Sequence, residues 1–174
     1  MVVVGGGFAG AACAKYIRRW SPTTEVLLVE PNPSFVSCPM SNRVIGGMMS
    51  IRDLTRSRDA LASGHGVQLV RASVTAIDAD AREIRLDDGS VLGYDRLVLA
   101  PGIDFMYDTL PGLESQAARA VMPHGWRAGD QTRDLRQRVM SLPEGGVFAM
   151  HIPQAPYRCP PGTYERACLV ANNI

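Results

Sequence analysis

Val2-Val3-Val4-Gly5-Gly6-Gly7-Phe8-Ala9-Gly10 decides how the rest of the chain is read. A β-branched apolar run stops at glycines spaced Gly5-x-Gly7-x-x-Gly10, and a helix-like segment, Ala11 to Trp20, follows. Strand, tight turn and helix in that order can hold a dinucleotide pyrophosphate on backbone N–H groups at the positive end of a helix dipole. Gly5 permits the turn, Gly7 lets backbone approach the phosphates, and Gly10 lets the helix lie close on the sheet, with Phe8 and Ala9 completing the loop. Val26-Leu27-Leu28-Val29 is the next apolar run. Glu30 ends it, followed by Pro31, at roughly the 20-residue distance where a carboxylate meets the ribose hydroxyls. The plainer reading is a structural glycine turn, which leaves the carboxylate at the second strand's end unexplained.

Composition bounds the rest. At 174 residues, 46% hydrophobic and 20% charged, the chain suits one core, or one domain and part of another, and is not a disordered segment. A net charge of +1 without a basic run excludes nucleic-acid binding as the main task. Cys13, Cys38, Cys159 and Cys168 have neither metal-ligand spacing nor the number of a disulfide framework, so no metal site is expected. No stretch reads as a targeting signal or an apolar membrane span, and the sequence by itself fixes no compartment.

Moving outward from Glu30, Pro31-Asn32-Pro33 ends the second strand, and Ser34 to Asn42 reads as an extended path that a ligand could organise. A short helix closed by Gly46-Gly47 is expected over Arg43 to Gly47, and a longer one over Ile51 to Ala62. Val67 to Val70 reads as a third parallel strand. Ser73 to Ile77, Glu83 to Leu86 and Ser90 to Leu92 make an antiparallel ribbon turning at Asp87-Asp88-Gly89. Such an insert suits the crossover of a two-dinucleotide-fold flavoprotein, which favours flavin over nicotinamide in the first site. Tyr94 to Leu99 is a further strand running into Ala100-Pro101-Gly102, a turn without side-chain bulk that could pass close to the cofactor; the alternative is a strand that simply ends. Residues 103–125 read as irregular. A helix lies within Trp126 to Leu142, capped by Asp130 or Thr132, with Leu135 and Val139 on one face.

Gly145 to Ile152 is expected to open a fresh buried strand. No second glycine fingerprint follows it, and the proline-rich loop to Cys168 gives no cradle for another pyrophosphate, so no NAD(P) partner is expected. The expected architecture is therefore α/β: a Rossmann-like dinucleotide-binding domain with an antiparallel insert over 1–125, then a connecting helix and the truncated start of a second dinucleotide fold over 126–174. A sheet of one strand cannot bury its faces, so the sequence is expected to be a piece of a longer protein, the alternative being a short chain that borrows partner surface.

Cysteine context supplies the chemistry. Cys159 precedes Pro160-Pro161, proline suits a helix's first turn, and a helix starting there, with Arg158 alongside, would stabilise a thiolate nucleophile. Glu165 is the candidate proton acceptor; the bland readings are an inert thiol and a solvated glutamate. Cys13 and Cys168 read as packing residues. A reactive thiol beside a flavin suggests sulfur chemistry.

These residues resemble the flavoprotein subunit of flavocytochrome c sulfide dehydrogenase, within the sulfide:quinone-reductase-like and glutathione-reductase-like FAD flavoproteins. The resemblance covers nearly the whole chain. It is carried by Val2 to Gly7, by Cys38 with Ser41-Asn42-x-Val44-Ile45-Gly46-Gly47, by Tyr94-Asp95-Arg96 through Ile103, by Trp126-x-Ala128-Gly129, and by Tyr157-Arg158-Cys159-Pro160-Pro161-Gly162-x-Tyr164-Glu165-Arg166-Ala167. It implies FAD on Gly5 to Gly10 and Glu30, a thioether from Cys38 to the flavin, Cys159 as half of a redox disulfide, and Glu165 as acid/base. It further implies sulfide as substrate, a c-type cytochrome subunit as acceptor and a periplasmic location. The competing readings are a sulfide:quinone oxidoreductase relative and a non-catalytic FAD-binding partner of another redox protein.

Overall fold

A computed structural model describes residues 1–173; Ile174, the last residue, lies outside the described residues. The chain forms two compact units, Met1–Phe35 with Arg56–Asp104, and Val36–Thr55 with the chain from Phe105 onward. A single cut after residue 125 thus falls inside the second unit.

In the first unit, β1 (Val2–Val4) leads into α1 (Phe8–Trp20), and β2 (Leu27–Val29) pairs parallel to β1, Val2 opposite Leu27. The chain leaves this unit through β3 (Ser34–Val36), passes the short helices α2 (Ser41–Ile45) and α3 (Ile51–Leu54), and returns through β4 (Thr55–Ser57) to α4 (Asp59–His65). β5 (Gln68–Val70) joins the far edge of β2. An antiparallel ribbon of β6 (Val74–Asp78), β7 (Glu83–Leu86) and β8 (Val91–Gly93) then precedes β9 (Leu97–Leu99), which pairs parallel to β1. The parallel sheet runs β5-β2-β1-β9. All three parallel partners and the ribbon stand where the apolar periodicity puts them.

Strand parity divides this core in two. Val2 and Val29 join Ala72, Ile84 and Leu86 on the ribbon side, while Val3, Leu28, Val26 and Val67 pack with Ala14 on the helix side. Parallel strands buried on both faces must be continuously apolar, which is why the runs read Val-Val-Val and Leu-Leu-Val. Each fully buried Val or Leu contributes about 1.5–3 kcal/mol. α1 comes close because its buried positions, Gly10 and Ala14, are small.

In the second unit, α2 packs with α6 (Asp130–Met140) and α7 (Pro160–Ala171) around Ile45, Leu135, Val139 and Val170; α5 (Gln116–Val121) stands between the first two in the chain. The helical stripe of Leu135 and Val139 is therefore confirmed as a core face.

Four expectations change. Ile51 to Ala62 is not one helix: it breaks into α3, β4 and α4, and the break frees Arg58, only 7% exposed, to reach back to Gly6 and Asn32. Residues 103–125 contain a 3-10 turn at Tyr107–Thr109 and α5, capped by the Ser115 hydroxyl. The N-cap of α6 is Gly129, at φ +156, with Thr132 acting from inside the helix by accepting the Gly129 N–H at 3.1 Å. Gly145 to Ile152 forms no strand among the described residues. Among those residues the segment has no pairing neighbour: it begins in a turn at Gly145, φ +74, Val147 is 84% exposed, and Phe148 packs onto the helical core.

Candidate functional site

The cradle of the first unit is made from backbone. Gly5 sits at φ +94, a left-handed conformation that side chains resist, and a Cβ there would collide with the Ala100 carbonyl at the end of β9. A Cβ on Gly10 would collide with the Gly5 carbonyl. Gly7 differs from both: it caps α1 at φ −74, and nothing lies within 4 Å of where its Cβ would stand. The turn is thus closed behind Gly5 and Gly10 and open in front of Gly7, which is the space a phosphate needs. α1 has no side-chain cap and no acidic residue in its first turn, so its positive end is not neutralised from within. Phe8 and Ala9 are exposed at that end, and Phe8 stacks edge-on against Phe35 at 4.8 Å. The Ala100 N–H bonds the Val4 carbonyl at 2.8 Å, and exposed Pro101 and Gly102, at φ +79, continue past the turn.

Glu30 is fixed where the sequence puts it. Its Oε2 accepts the Gly6 N–H at 2.8 Å, and its Oε1 accepts the Asn32 N–H at 3.0 Å and the Asn32 side-chain amide at 2.7 Å. Burial raises the Glu30 pKa, but the hydrogen bonds from Asn32 and Gly6 and the charge of Arg58 outweigh it and hold the carboxyl below its ordinary value. The Arg58 guanidinium stands 3.7 Å from Oε2, while its Nε donates to the Gly6 carbonyl at 3.1 Å and its Nη1 to the Asn32 carbonyl at 2.7 Å. Gly6, given no job by the sequence, must be small because Arg58 and Glu30 close over it; Glu30 Cγ lies 2.9 Å from its ideal Cβ. A carboxylate held charged beside a glycine turn with an open front fits the ribose and pyrophosphate of a dinucleotide. Pro31, between Glu30 and Asn32, is exposed.

The second unit holds a cluster of side chains. Cys159 caps α7 with φ +52, an unusual conformation for a residue with a side chain, and Pro160 occupies the first helical position, as its sequence context requires. Its Sγ lies 3.2 Å from the ideal Cβ of Gly162, so any larger residue there would crowd the sulfur, and Cζ3 of Trp126 lies 3.9 Å from the same point. Exposed Cys38 follows β3 and donates its thiol to the Trp126 carbonyl at 2.7 Å. The α7 head, the Cys38 segment and Trp126 are thus drawn together.

Asn42 ties them. Its Nδ2 donates to the Gly162 carbonyl and to Glu165 Oε2, both at 2.8 Å, and its Oδ1 accepts Arg166 Nε at 3.0 Å. Only this amide orientation matches two acceptors and one donor. Asn42 and Arg166 are 6% and 7% exposed, and Arg166 also donates to the Gly125 carbonyl and lies over the Trp126 ring at 5.6 Å. Burial pulls the guanidinium below its ordinary pKa, against the charges that Cys38, Glu165 and Cys159 can carry nearby. Glu165 itself is exposed, so its carboxylate keeps a wet side.

The structure thus brings Cys38, Cys159 and Glu165 together in the second unit and Gly5 to Gly10, Glu30 and Ala100 together in the first. Arg158 is exposed; the cation of the cluster is Arg166. Sequence reasoning gave no role to Asn42, Arg58 or Arg166. Arg166 carried a usable signal, since seven residues after Cys159 is two helical turns and the same face. Cys168, on a different face, is exposed and does not pack. Among the described residues no group of side chains could hold a metal ion, and no helix is long and apolar enough to cross a membrane.

A family model for pyridine nucleotide-disulphide oxidoreductases matches residues 1–141, and one for the central part of the sulfide dehydrogenase [flavocytochrome c] flavoprotein chain matches residues 132–174. The chain is 59% identical over 44 residues to the sulfide dehydrogenase [flavocytochrome c] flavoprotein chain of Chlorobaculum thiosulfatiphilum, covering 25% of this chain and 92% of that one. It is 36% identical over 124 residues to an NADH dehydrogenase-like protein of Mycobacterium tuberculosis, covering 65% of this chain and 29% of that one. The sulfide:quinone oxidoreductase structure from Aquifex aeolicus superposes with a TM-score of 0.67 at 22% identity, over 80% of this chain and 31% of that one. The chain spans about a third of the length of these longer relatives. With an NADH-named protein among them, the expected absence of a nicotinamide nucleotide has no support.

Proposed function

The chain belongs to the pyridine nucleotide-disulphide oxidoreductases and, within them, to the flavoprotein chains of flavocytochrome c sulfide dehydrogenase, and on that premise we propose that it serves FAD-dependent oxidation of sulfide with a c-type cytochrome subunit as electron acceptor. Gly5, Gly7, Phe8, Ala9, Gly10, Glu30, Pro31 and Ala100-Pro101-Gly102 would bind FAD, and Cys38 would link it covalently. Bound FAD supplies a two-electron acceptor that can be discharged one electron at a time.

The chain's own residues handle the sulfur. Hydrosulfide attacks a disulfide between Cys159 and a second cysteine of the whole protein; one S–S bond forms as the other breaks, and the leaving thiolate carries the electron pair. Glu165, held by Asn42 and open to water, takes the proton that the new persulfide releases. The observation that carries this reading is the convergence of Cys38, Cys159 and Glu165 on Asn42 and Trp126, from segments far apart in the chain. Family membership supports a periplasmic location for the protein. A quinone acceptor is the second reading, favoured by sulfide:quinone relatives such as the Dictyostelium discoideum enzyme, 24% identical over 91% of this chain and 35% of that one.

The test is anaerobic addition of sulfide to the full-length protein with cytochrome c or a soluble quinone present. The flavin should bleach and cytochrome c should be reduced. Cys159→Ser should keep its flavin and lose the bleaching, and acid denaturation should leave the yellow colour on the polypeptide unless Cys38 is replaced. Undiminished bleaching in Cys159→Ser would sink the proposal, and preferential reduction of the quinone would transfer it to the second reading.

A further inference from the structure

The thiol cluster contains a cation that no carboxylate neutralises by direct contact. Arg166 is 7% exposed, its Nε is used by Asn42 and its Nη2 by the Gly125 carbonyl, and its Nη1 has no hydrogen-bond partner among the described residues. No carboxylate among those residues lies within ion-pair distance of it. Glu165, its neighbour in sequence, is kept apart because Asn42 stands between them, with its oxygen on the guanidinium and its nitrogen on the carboxylate. A buried guanidinium without a paired anion is costly, and an open donor edge is the natural place for an anion to offset that cost.

The surroundings say which anion. Arg166 and the Cys38 thiol bond the adjacent carbonyls of Gly125 and Trp126, and the Trp126 ring and Cys159 Sγ flank the same point, where a Cβ of Gly162 would stand. Guanidinium, indole and two sulfurs therefore share one small neighbourhood, soft and polarisable on the sulfur side and cationic on the other. We propose that the Nη1 edge of Arg166 is an anion subsite of the thiol cluster, holding a small sulfur anion such as hydrosulfide beside Cys159. The proposal rests on the reading of Cys159 as the redox thiol, and it assigns binding and orientation to Arg166 rather than a bond-making step.

Alkylation of the reduced full-length protein with negatively charged iodoacetate and neutral iodoacetamide, read cysteine by cysteine by peptide mass spectrometry, tests it. Cys168, exposed on the same helix, is the internal reference. The iodoacetate-to-iodoacetamide rate ratio at Cys159 should exceed that at Cys168 by about 10-fold, the lower end of what a local charge field does to encounter rates. Arg166→Gln should bring it down to the Cys168 value, and Arg166→Lys should retain most of it. General loosening of the cluster would change both reagents together and leave the ratio alone. Equal ratios at the two cysteines in the unmodified protein, which needs no variant to fold, would overturn the subsite, as would an unchanged ratio in Arg166→Gln. Sulfide turnover measured on the same preparation separates the two proposals: turnover with equal ratios overturns the subsite alone, and a raised ratio without turnover overturns sulfide oxidation while the anion subsite stands.

Discussion

The two units build their sites from different materials. In the first, the cradle is backbone: Gly5 under the Ala100 carbonyl, Gly10 against the Gly5 carbonyl and an open front at Gly7, with one carboxylate fixed at the end of β2. In the second, the cluster is side chains: Asn42 and Arg166 join two cysteine-bearing segments and Glu165. A backbone site tolerates few residue types at few positions and fails by collision. A side-chain site fails by losing a partner, and its parts come from anywhere in the chain.

The sharpest break in that comparison is among the glycines. Gly5→Ala and Gly10→Ala place a Cβ against fixed carbonyls, and Gly5 adds a positive φ, so each should cost more than about 4 kcal/mol and prevent the first unit from folding stably. Gly7→Ala should do the opposite. Its φ of −74 suits alanine and its Cβ meets nothing, so stability in urea should stay within about 1 kcal/mol, yet FAD affinity should fall roughly tenfold as the methyl enters the phosphate space. If Gly7→Ala binds FAD normally, the open front is not the pyrophosphate site.

Asn42→Ala is the matching experiment on the second unit. It removes three hydrogen bonds and leaves a buried guanidinium N–H and the Gly162 carbonyl to find other partners, a loss of about 2–4 kcal/mol. Urea unfolding followed by Trp126 fluorescence reads it. Asn42→Asp should recover part of the loss, since an acid still accepts from Arg166, but not all, because it offers no proton to Gly162 or Glu165. A full recovery would mean that Arg166 alone holds the cluster.

The contrast in materials explains what was legible beforehand. Val2 to Gly10, the Val67 strand, the ribbon around Gly89 and the β9 strand are written in local periodicity and in glycines that meet local steric demands, and the structure has them all. Ile51 to Ala62 misled because helical composition there yields to Arg58, whose partners Gly6 and Asn32 lie 52 and 26 residues away. Gly145 to Ile152 misled because an apolar run becomes a strand only where another strand receives it. The Asn42 to Arg166 bond spans 124 residues, and nothing local to either residue announces it.

A smaller effect joins the two kinds of site at Glu30, a side chain held mostly by backbone. Its folded-state carboxyl lies below the ordinary value of 4.5, so its ionised form is favoured by folding. The stabilisation is complete above about pH 4.5 and is lost as the pH falls through the lower folded value. Glu30→Gln should cost about 1–3 kcal/mol at neutral pH, since Arg58 loses its counter-charge, and should flatten the acid limb of the urea-midpoint profile. An acid limb identical in the variant would show that other carboxyls carry it.

The smallest expected effect tests whether position, rather than thiol chemistry as such, sets the role of a cysteine. Cys168 rides the same helix as Cys159 and both are exposed, but Cys168 has no part in the Asn42 network. Cys168→Ser should therefore move stability by less than about 0.5 kcal/mol and leave flavin content and sulfide turnover unchanged. Cys159 differs only in standing at the helix cap, in a positive-φ conformation, over a glycine that makes room for its sulfur. If Cys168→Ser lowered turnover as Cys159→Ser is expected to, the chemistry would follow the helix and its thiols at large, and the cap, the glycine and the Asn42 network would have no special claim on it.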